Sequence, residues 1–204
     1  VPADPSSAAF PLVAALLVPG SDVSVKDMMV NPLRVGLLET LREMGAELSF
    51  DRGRSAGGEP IADVTARASR LRGVDVPAKR APSMIDEYPI LAMAAACAEG
   101  RTVMRGVAEL RVKESDRLAA LIAGLNGCGI EAWEEGDCLI VEGKAGPPAG
   151  RTMVAAHQDH RIAMSFLILG LAAREPIGVD SADMIATSFP GFEALMRSIG
   201  AEVA

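Results

Sequence analysis

The chain has 204 residues, enough to bury a substantial core as one large domain or two small ones. Hydrophobic residues make up 50% of the sequence and aromatic residues only 3%, which favours a core of aliphatic helices packed on sheets over an aromatic-rich β-sandwich. The net charge of −7 argues against a nucleic-acid-binding surface, because neutralising phosphates requires an excess of basic residues.

The predicted elements repeat along the chain. Three stretches rich in small apolar residues predict buried helices: 10–18, 88–98 and 162–172. Each is followed by a run with strand character: 23–25, 102–104 and 177–179. Each run leads to an amphipathic helix: 33–44, 116–126 and 189–199. The same helix–strand–helix order therefore occurs three times.

The three amphipathic helices are predicted to end alike, each at a glycine followed by the start of a strand: Gly45, Gly129 and Gly200. Further strands are predicted at 63–68 and 138–142, and exposed loops at 53–60 and 143–150. The repeated unit is thus helix–strand–helix–strand–strand, in a single α/β domain. The units are expected to span approximately 1–75, 76–150 and 151–204.

Five ionisable side chains fall within seven residues of the sequence Leu-Arg-Val-Lys-Glu-Ser-Asp-Arg-Leu, at a predicted helix start. Ser115 is expected to cap this helix and Asp116 to lie in its first turn, where an acid suits the helix dipole. Arg117 is opposed by that dipole. Lys113, Glu114 and Arg117 therefore indicate an anion site with an acid or base beside it. A solvated helix entrance with local ion pairs is the alternative.

Two further helix entries carry residues suited to the same chemistry. Asp86 precedes the second apolar helix, where it can cap backbone N–H groups or act as a general base toward a substrate hydroxyl. Arg161 is, like Arg117, a cation at a predicted helix start, where the helix dipole opposes a positive charge. An incoming anion can use such a guanidinium together with the helix N-terminus.

His157, Asp159 and His160, which lie next to Arg161 in the sequence, could instead suggest a metal site. The two histidines lie only three residues apart near a helix start, and no cysteine pattern supports them. Glycine-rich phosphate loops of the nucleotide-binding types are also lacking. We therefore predict no metal ion and no cofactor.

The cysteines and apolar runs bear on the cellular compartment. Cys97, Cys128 and Cys138 lack a Cys-x-x-Cys spacing, and two of them lie in apolar stretches, which favours buried free thiols in a reducing compartment. No run approaches the roughly 20 apolar residues of a membrane span, and no signal peptide is recognised. We expect a cytoplasmic protein with no membrane partner. Because the sequence opens at Val1 rather than at methionine, we also expect it to be a piece of a longer polypeptide.

Four segments in this order carry a family resemblance: Pro-Ser-Met-Ile-Asp-Glu-Tyr-Pro around Asp86, Arg-Val-Lys-Glu-Ser-Asp-Arg ending at Arg117, Asp-His-Arg-Ile-Ala-Met around Arg161, and Met-Ile-Ala-Thr-Ser-Phe-Pro from Met184. Together with Asp-Pro-Ser-Ser-Ala-Ala-Phe at 4–10, they closely resemble the 5-enolpyruvylshikimate-3-phosphate synthase family. The likeness covers essentially the whole chain and corresponds to the C-terminal half of the family's enzymes.

The resemblance implies a fold and a reaction. Family members have two domains, each an inside-out α/β barrel of three βαβαββ units, with helix N-termini directed into the cleft between the domains. They transfer the enolpyruvyl group of phosphoenolpyruvate to the 5-hydroxyl of shikimate 3-phosphate and release phosphate, in the pathway to chorismate and the aromatic amino acids. The expected partners are these two small molecules and an N-terminal domain outside this chain.

The resemblance also implies roles for single residues. Asp86 matches the aspartate that takes the proton from the 5-hydroxyl, and Glu114 matches the glutamate that protonates the methylene carbon of phosphoenolpyruvate. Lys113 matches a lysine that contacts both substrates, whereas Arg117 and Arg161 match arginines that bind phosphoenolpyruvate. One departure is Ser188, where many members have lysine and the glyphosate-tolerant class has serine.

Two rival functions are considered. The first is an enolpyruvyl transfer to a UDP-N-acetylglucosamine acceptor, which the Lys113–Glu114 segment disfavours. The second is a non-catalytic α/β repeat domain used for binding, in which Asp86 and Glu114 serve only as helix caps. The resemblance further implies that the N-terminal stretch of family members returns to complete this domain, so one sheet edge here is expected to be uncovered.

Overall fold

The structure, a computed structural model, describes residues 1–203, and its elements follow one another in a recurring order. The first group comprises α1 (Pro5–Leu17), β1 (Asp22–Met29), α2 (Gly36–Glu43), β2 (Glu47–Ala56) and β3 (Glu59–Arg67). The second comprises β4 (Asp75–Val76), α3 (Tyr88–Cys97), β5 (Glu99–Met104), α4 (Arg117–Gly127), β6 (Glu131–Glu135) and β7 (Cys138–Lys144). The third comprises β8 (Thr152–Val154), α5 (His160–Ala172), β9 (Ile177–Val179) and α6 (Phe192–Ser198).

Three apolar helices, α1, α3 and α5, pack against one another at the centre of the molecule. In α3 every residue from Tyr88 to Ala96 is buried, and most of these side chains are alanine or another aliphatic residue. A helix that is apolar on all sides must be surrounded by protein. The sheets accordingly lie outside the three helices, which is the expected inside-out α/β arrangement.

Three separate sheets cover this helical centre. Strands β1, β3 and β2 form an antiparallel sheet in that order, and β4, β5, β7 and β6 form a mixed one. The third sheet pairs β8 with β9 in parallel. Each central helix is flanked by a short parallel pairing, since Ala3 bridges to Met28, β4 pairs with β5, and β8 pairs with β9. The described part of the third group thus lacks the final hairpin found in the other two.

The predicted order of helices and strands is confirmed in the first two units, whereas the third unit lacks its two closing strands within residues 1–203, and several boundaries differ. Helix α1 begins at Pro5 rather than at residue 10, because Asp4 caps it and accepts a 2.8 Å hydrogen bond from the backbone N of Ser7. The glycines after α2 and α4 have the positive φ angles that end helices, 93° at Gly45 and 79° at Gly129. Gly200 also has a positive φ, but the strand predicted after it is absent up to Val203.

The predicted loop at 53–60 is wrong, because most of these residues belong to a hairpin. Strand β2 continues to Ala56, and β3 begins at Glu59 after a two-residue turn at Gly57 and Gly58, with φ angles of 61° and 87°. Most residues of β2 are exposed or half-exposed, so the strand lacks the apolar alternation that normally identifies one. The second loop was predicted to begin at residue 143, but it begins two residues later, because β7 extends to Lys144.

The three cysteines are free. Cys128 and Cys138 are buried as predicted, whereas Cys97 is only partly so. Burial raises the pKa of the Cys97 thiol to about 12 and that of Cys128 to about 11, so both stay protonated at neutral pH.

Strand β7 passes so close to the end of α3 that only glycine fits at position 143. A Cβ on Gly143 would lie 2.2 Å from the carbonyl oxygen of Ala98 and 2.4 Å from that of Ala95. We expect Gly143→Ala to lower the free energy of unfolding by about 1–3 kcal/mol, because backbone must move to relieve the clash. Urea denaturation measures the loss. Gly146→Ala is the control, since nothing lies within 4 Å of its added Cβ; equal midpoints for the two variants would contradict this packing.

Candidate active site

The residues singled out from the sequence lie at the N-terminal ends of three helices. Asp86 belongs to the 3₁₀ turn Ile85–Glu87 that leads directly into α3. Arg117 is the first residue of α4, and Arg161 is the second residue of α5. Because these helix starts meet at one end of the helical centre, residues far apart in sequence come into direct contact.

Arg117 joins three carboxylates. Its side chain has no solvent exposure, and its Nε donates to Asp159 Oδ2 at 2.8 Å. Its Nη1 donates to Asp86 Oδ1 at 2.9 Å, and its Nη2 donates to Glu114 Oε2 at 2.5 Å. A buried guanidinium needs such partners, because an unpaired charge in the interior is costly. The segment around Arg117 is therefore not merely a solvated helix entrance.

Asp159, considered from the sequence only as a metal ligand, organises two of the helix starts. It has no solvent exposure, and its Oδ1 caps α5 by accepting from the backbone N of Arg161 at 2.9 Å. Its Oδ2 accepts from Arg117 and, at 3.1 Å, from the Ser115 hydroxyl. Burial alone would raise the pKa of this carboxyl, but the hydrogen bond and charge of Arg117 and the backbone donors outweigh burial and lower it.

Asp86 lies between Arg117 and Lys113. The Lys113 Nζ is 3.4 Å from Asp86 Oδ1 and 2.7 Å from Glu109 Oε1. Burial acts to raise the pKa of Asp86, yet the positive charges of Arg161, Lys113 and Arg117 lower it overall, so the group is ionised at neutral pH. The hydrogen bond to Glu109 is the main reason that the pKa of Lys113 is raised, and Lys113 is therefore a cation.

The caps of these helices are other residues than those the sequence indicated. Asp116, rather than Ser115, caps α4 and accepts from the backbone N of Ala119 at 3.0 Å. Asp86 makes no capping hydrogen bond to α3 in the described chain, and its carboxylate accepts from Arg117 instead. The carboxylates of Asp86 and Glu114 are thus free of the capping role that a purely structural domain would give them.

Arg161 completes the cluster. Its Nη1 donates to the backbone oxygen of Asp86 at 3.1 Å and lies 3.5 Å from Glu87 Oε1. Its side chain is 18% exposed, and that of Glu114 is 51% exposed, so both reach the surface of the cluster. Two carboxylates, a lysine and two arginines therefore share one rim at the helix N-termini, where anions can bind and protons can be transferred.

The histidines of the same segment have local surroundings that differ from a metal centre. His160 is the first residue of α5, and burial lowers its pKa, so its imidazole is neutral at pH 7. His157 lies in the preceding turn with a φ of 52°. Residues 1–203 contain no group of three or more His, Cys, Asp or Glu residues placed to hold a metal ion.

Comparison with known proteins identifies the family to which this site belongs. The sequence profile of EPSP synthase (3-phosphoshikimate 1-carboxyvinyltransferase) matches residues 1–196. The chain belongs to the EPSP synthase family. Curated EPSP synthases named 3-phosphoshikimate 1-carboxyvinyltransferase share 63% identity in Phenylobacterium zucineum and 64% in Methylorubrum populi, each over 203 residues. These matches include 100% of this chain but 45% of each relative, so the chain spans about half the length of the EPSP synthases it matches.

Solved structures agree with this assignment. The EPSP synthase from Acinetobacter baumannii matches with a TM-score of 0.94 and 45% identity, over 98% of this chain and 46% of that protein. The enolpyruvyl transferase NikO from Streptomyces tendae matches with a TM-score of 0.75 at 21% identity, which establishes a shared fold alone. Within the described residues, no helix of this EPSP synthase family member combines the length and apolarity needed to cross a bilayer.

Proposed function

We propose that this chain is the C-terminal half of a 3-phosphoshikimate 1-carboxyvinyltransferase. The whole enzyme transfers the enolpyruvyl group of phosphoenolpyruvate to the 5-hydroxyl of shikimate 3-phosphate and releases phosphate. The observation that carries this proposal is the contact of Arg117 with both Asp86 and Glu114, at 2.9 Å and 2.5 Å. This contact brings together two carboxylates for proton transfer and the cations that bind anionic substrates.

The proposed mechanism divides the proton transfers between these carboxylates. Asp86 accepts the proton of the 5-hydroxyl as its oxygen bonds to the central carbon of phosphoenolpyruvate, and Glu114 delivers a proton to the methylene carbon. The resulting methyl group then gives up a proton as the bond to phosphate breaks, which restores the double bond of the enolpyruvyl group. Lys113 contacts both substrates, and Arg117 and Arg161 bind phosphoenolpyruvate. The lowered pKa of Asp86 makes it a weak base before substrate binds. Because bound anions offset the neighbouring positive charges, they raise that pKa and make Asp86 a stronger base.

The rest of the active site is proposed to come from a second domain. The chain itself forms one domain with units near 1–75, 76–150 and 151–204. A groove of about 1090 Å³ beside β9, lined in part by Ala14, Val18, Leu171 and Ile177, supports a covering segment from outside this chain. Such a segment also provides partners for the third sheet, which has only two strands in the described residues.

The proposal extends to inhibitor class and compartment. Ser188 replaces the lysine that many family members have, which supports membership of the glyphosate-tolerant class. Free thiols in an apolar environment support a cytoplasmic location. Inhibition by glyphosate of a whole enzyme that carries this chain, compared with inhibition of its Ser188→Lys variant, tests the first of these statements.

Phosphate release in a rebuilt enzyme tests the proposed function. In the Phenylobacterium zucineum relative, the matching 203 residues are replaced by this chain to give a chimera. We expect the chimera to release phosphate with phosphoenolpyruvate and shikimate 3-phosphate, and the isolated chain to release essentially none, because half of the substrate contacts are missing from it. UDP-N-acetylglucosamine as acceptor is expected to give no turnover.

Two outcomes contradict the proposal. A folded chimera that is inactive with shikimate 3-phosphate, or one that prefers the UDP-sugar, overturns the assigned reaction.

For the isolated chain, an NMR titration with phosphoenolpyruvate is expected to shift signals of Lys113 and Arg161. A titration that moves neither residue contradicts their assignment to the anion site.

A further inference from the structure

Glu87 is a buried acid that the proposed mechanism does not use. It ends the 3₁₀ turn before α3, and only 7% of the residue is exposed. Although it occupies the N-cap position of α3, its side chain makes no capping hydrogen bond. Burying a carboxyl without a capping or solvent contact is costly unless specific partners compensate it.

The partners of Glu87 come from the two other central helices. Its Oε1 accepts a 2.5 Å hydrogen bond from the hydroxyl of Ser6, a buried residue in the first turn of α1. The same Oε1 lies 3.5 Å from Nη1 of Arg161, in the first turn of α5. One carboxyl oxygen therefore links the N-terminal ends of α1, α3 and α5.

Arg161 differs from Arg117 in how the protein holds it. All three nitrogens of the Arg117 guanidinium donate to carboxylates. Among residues 1–203, the Arg161 guanidinium donates one hydrogen bond, from Nη1 to the Asp86 backbone oxygen, and the same Nη1 forms an ion pair with the Glu87 carboxylate at 3.5 Å. Its Nε and Nη2 remain available to a ligand. The orientation of those two donors is consequently fixed by what holds Nη1.

We propose that Glu87 is a positioning residue for Arg161: with Ser6, it fixes the guanidinium so that its remaining donors meet the phosphoenolpyruvate anion. This inference rests on the proposed function. Burial raises the pKa of Glu87, whereas the Ser6 hydrogen bond and the charge of Arg161 oppose that rise, and Asp86 and Arg34 are the other charged groups near it. Arg161 is the cation in direct contact with Glu87, at 3.5 Å, whereas Arg34 reaches it through the Ser6 hydroxyl, to which Arg34 Nη2 donates at 3.3 Å.

Kinetics of the chimera test this role. We expect Glu87→Ala to raise the KM for phosphoenolpyruvate about tenfold, because it removes the buried anionic partner of Arg161. The kcat and the KM for shikimate 3-phosphate should stay within about twofold, because Glu87 is buried behind Arg161. Glu87→Gln keeps an acceptor for Ser6 and Arg161 and is expected to recover most of the loss. Ser6→Ala should raise the same KM by about threefold.

Glu142→Ala is the matched control. It removes an acid of β7 that pairs with Arg101 of β5 at 2.9 Å, outside the cluster at the helix N-termini, and is expected to leave both KM values unchanged. Unchanged KM for phosphoenolpyruvate in Glu87→Ala overturns the inference, and so does a parallel rise of both KM values. If Glu87→Ala does not fold, the same kinetic measurements on Glu87→Gln and Ser6→Ala test the inference instead. A KM for phosphoenolpyruvate that is unchanged in Ser6→Ala then overturns the positioning role of Glu87.

A second measurement separates this inference from the proposed function. In the 204-residue chain itself, the Nε–Hε NMR signal of Arg161 reports how its guanidinium is held. We expect this signal to move toward the position of an unrestrained arginine in Glu87→Ala but only slightly in Glu87→Gln. A signal unchanged in Glu87→Ala overturns the positioning role, even if the chimera has no activity. An inactive wild-type chimera contradicts only the proposed reaction.

Discussion

Replacing Asp159 by alanine is expected to destabilise the chain by about 4 kcal/mol. The change leaves the buried Arg117 without its fully buried partner, and breaking a buried ion pair by removing one member typically costs 3–5 kcal/mol. It also removes the cap of α5, worth about 1 kcal/mol. For a domain of this size the thermal midpoint should fall by about 10 °C, which circular dichroism measures.

Two other variants separate the contributions of charge and cap. Asp159→Asn retains a good capping residue and should lose only the ionic part. Asp116→Ala removes a comparable cap from α4 at an exposed site and should cost about 1 kcal/mol. If Asp159→Ala costs no more than Asp116→Ala, the buried pair with Arg117 contributes nothing to stability.

The stabilisation by Asp159 has a defined pH dependence. Its pKa in the folded chain is lowered from 3.8, so below this value the unfolded chain binds more protons than the folded one. The advantage of wild type over Asp159→Asn is therefore fully present above about pH 5 and is lost as the pH falls through the folded pKa, below 3.8. A difference in stability that persists at the lowest pH would show that charge is not its origin.

Replacing Asp86 by asparagine in the chimera is expected to reduce kcat by about 10²–10⁴-fold, the usual contribution of a general base. Asparagine has nearly the same shape and still accepts a hydrogen bond from Arg117, but it does not take up a proton. The KM values should change much less than kcat. Steady-state phosphate release measures both parameters.

Glu109→Gln is the control for Asp86→Asn. Glu109 also pairs with Lys113, at 2.7 Å, but its side chain is 61% exposed and lies away from Arg117. We expect less than about a fivefold change in kcat, because an exposed ion pair contributes at most about 1 kcal/mol. If the two variants lose activity equally, the effect of Asp86 arises from the state of Lys113 and the general-base role is wrong.

The sequence was sufficient to predict the core helices, because their composition is unambiguous. The all-apolar stretch before Gly100 corresponds to a helix buried on every side, and the order of elements follows the threefold pattern. Strand β2 could not be predicted in the same way, since its side chains are mostly exposed. What defines it is pairing with β3, a contact between two segments that periodicity within one segment does not reveal.

The sequence singled out residues that the fold brings into contact, but it did not reveal the contacts that connect them. Arg117 and Arg161 stand out in the sequence because cations at helix starts oppose the dipole. Asp159 and Glu87 have no such signature, because an acid near a helix start is common and usually a cap. Only the packing of helix ends from distant segments shows that these acids contact the two arginines, and periodicity within one segment does not reveal such tertiary contacts.

The saturation of Arg117 by carboxylates has a consequence for ligand entry. Three of its five N–H groups donate to carboxylates and its side chain has no exposed surface, so under the proposed function a substrate anion reaches this guanidinium only when a resident carboxylate moves aside. Glu114 is the carboxylate expected to give up its contact with Arg117, because its side chain is the most exposed of the three. Asp86 and Asp159 stay paired with the guanidinium when Glu114 leaves, so ligand binding at this point never requires the interior to hold a bare positive charge.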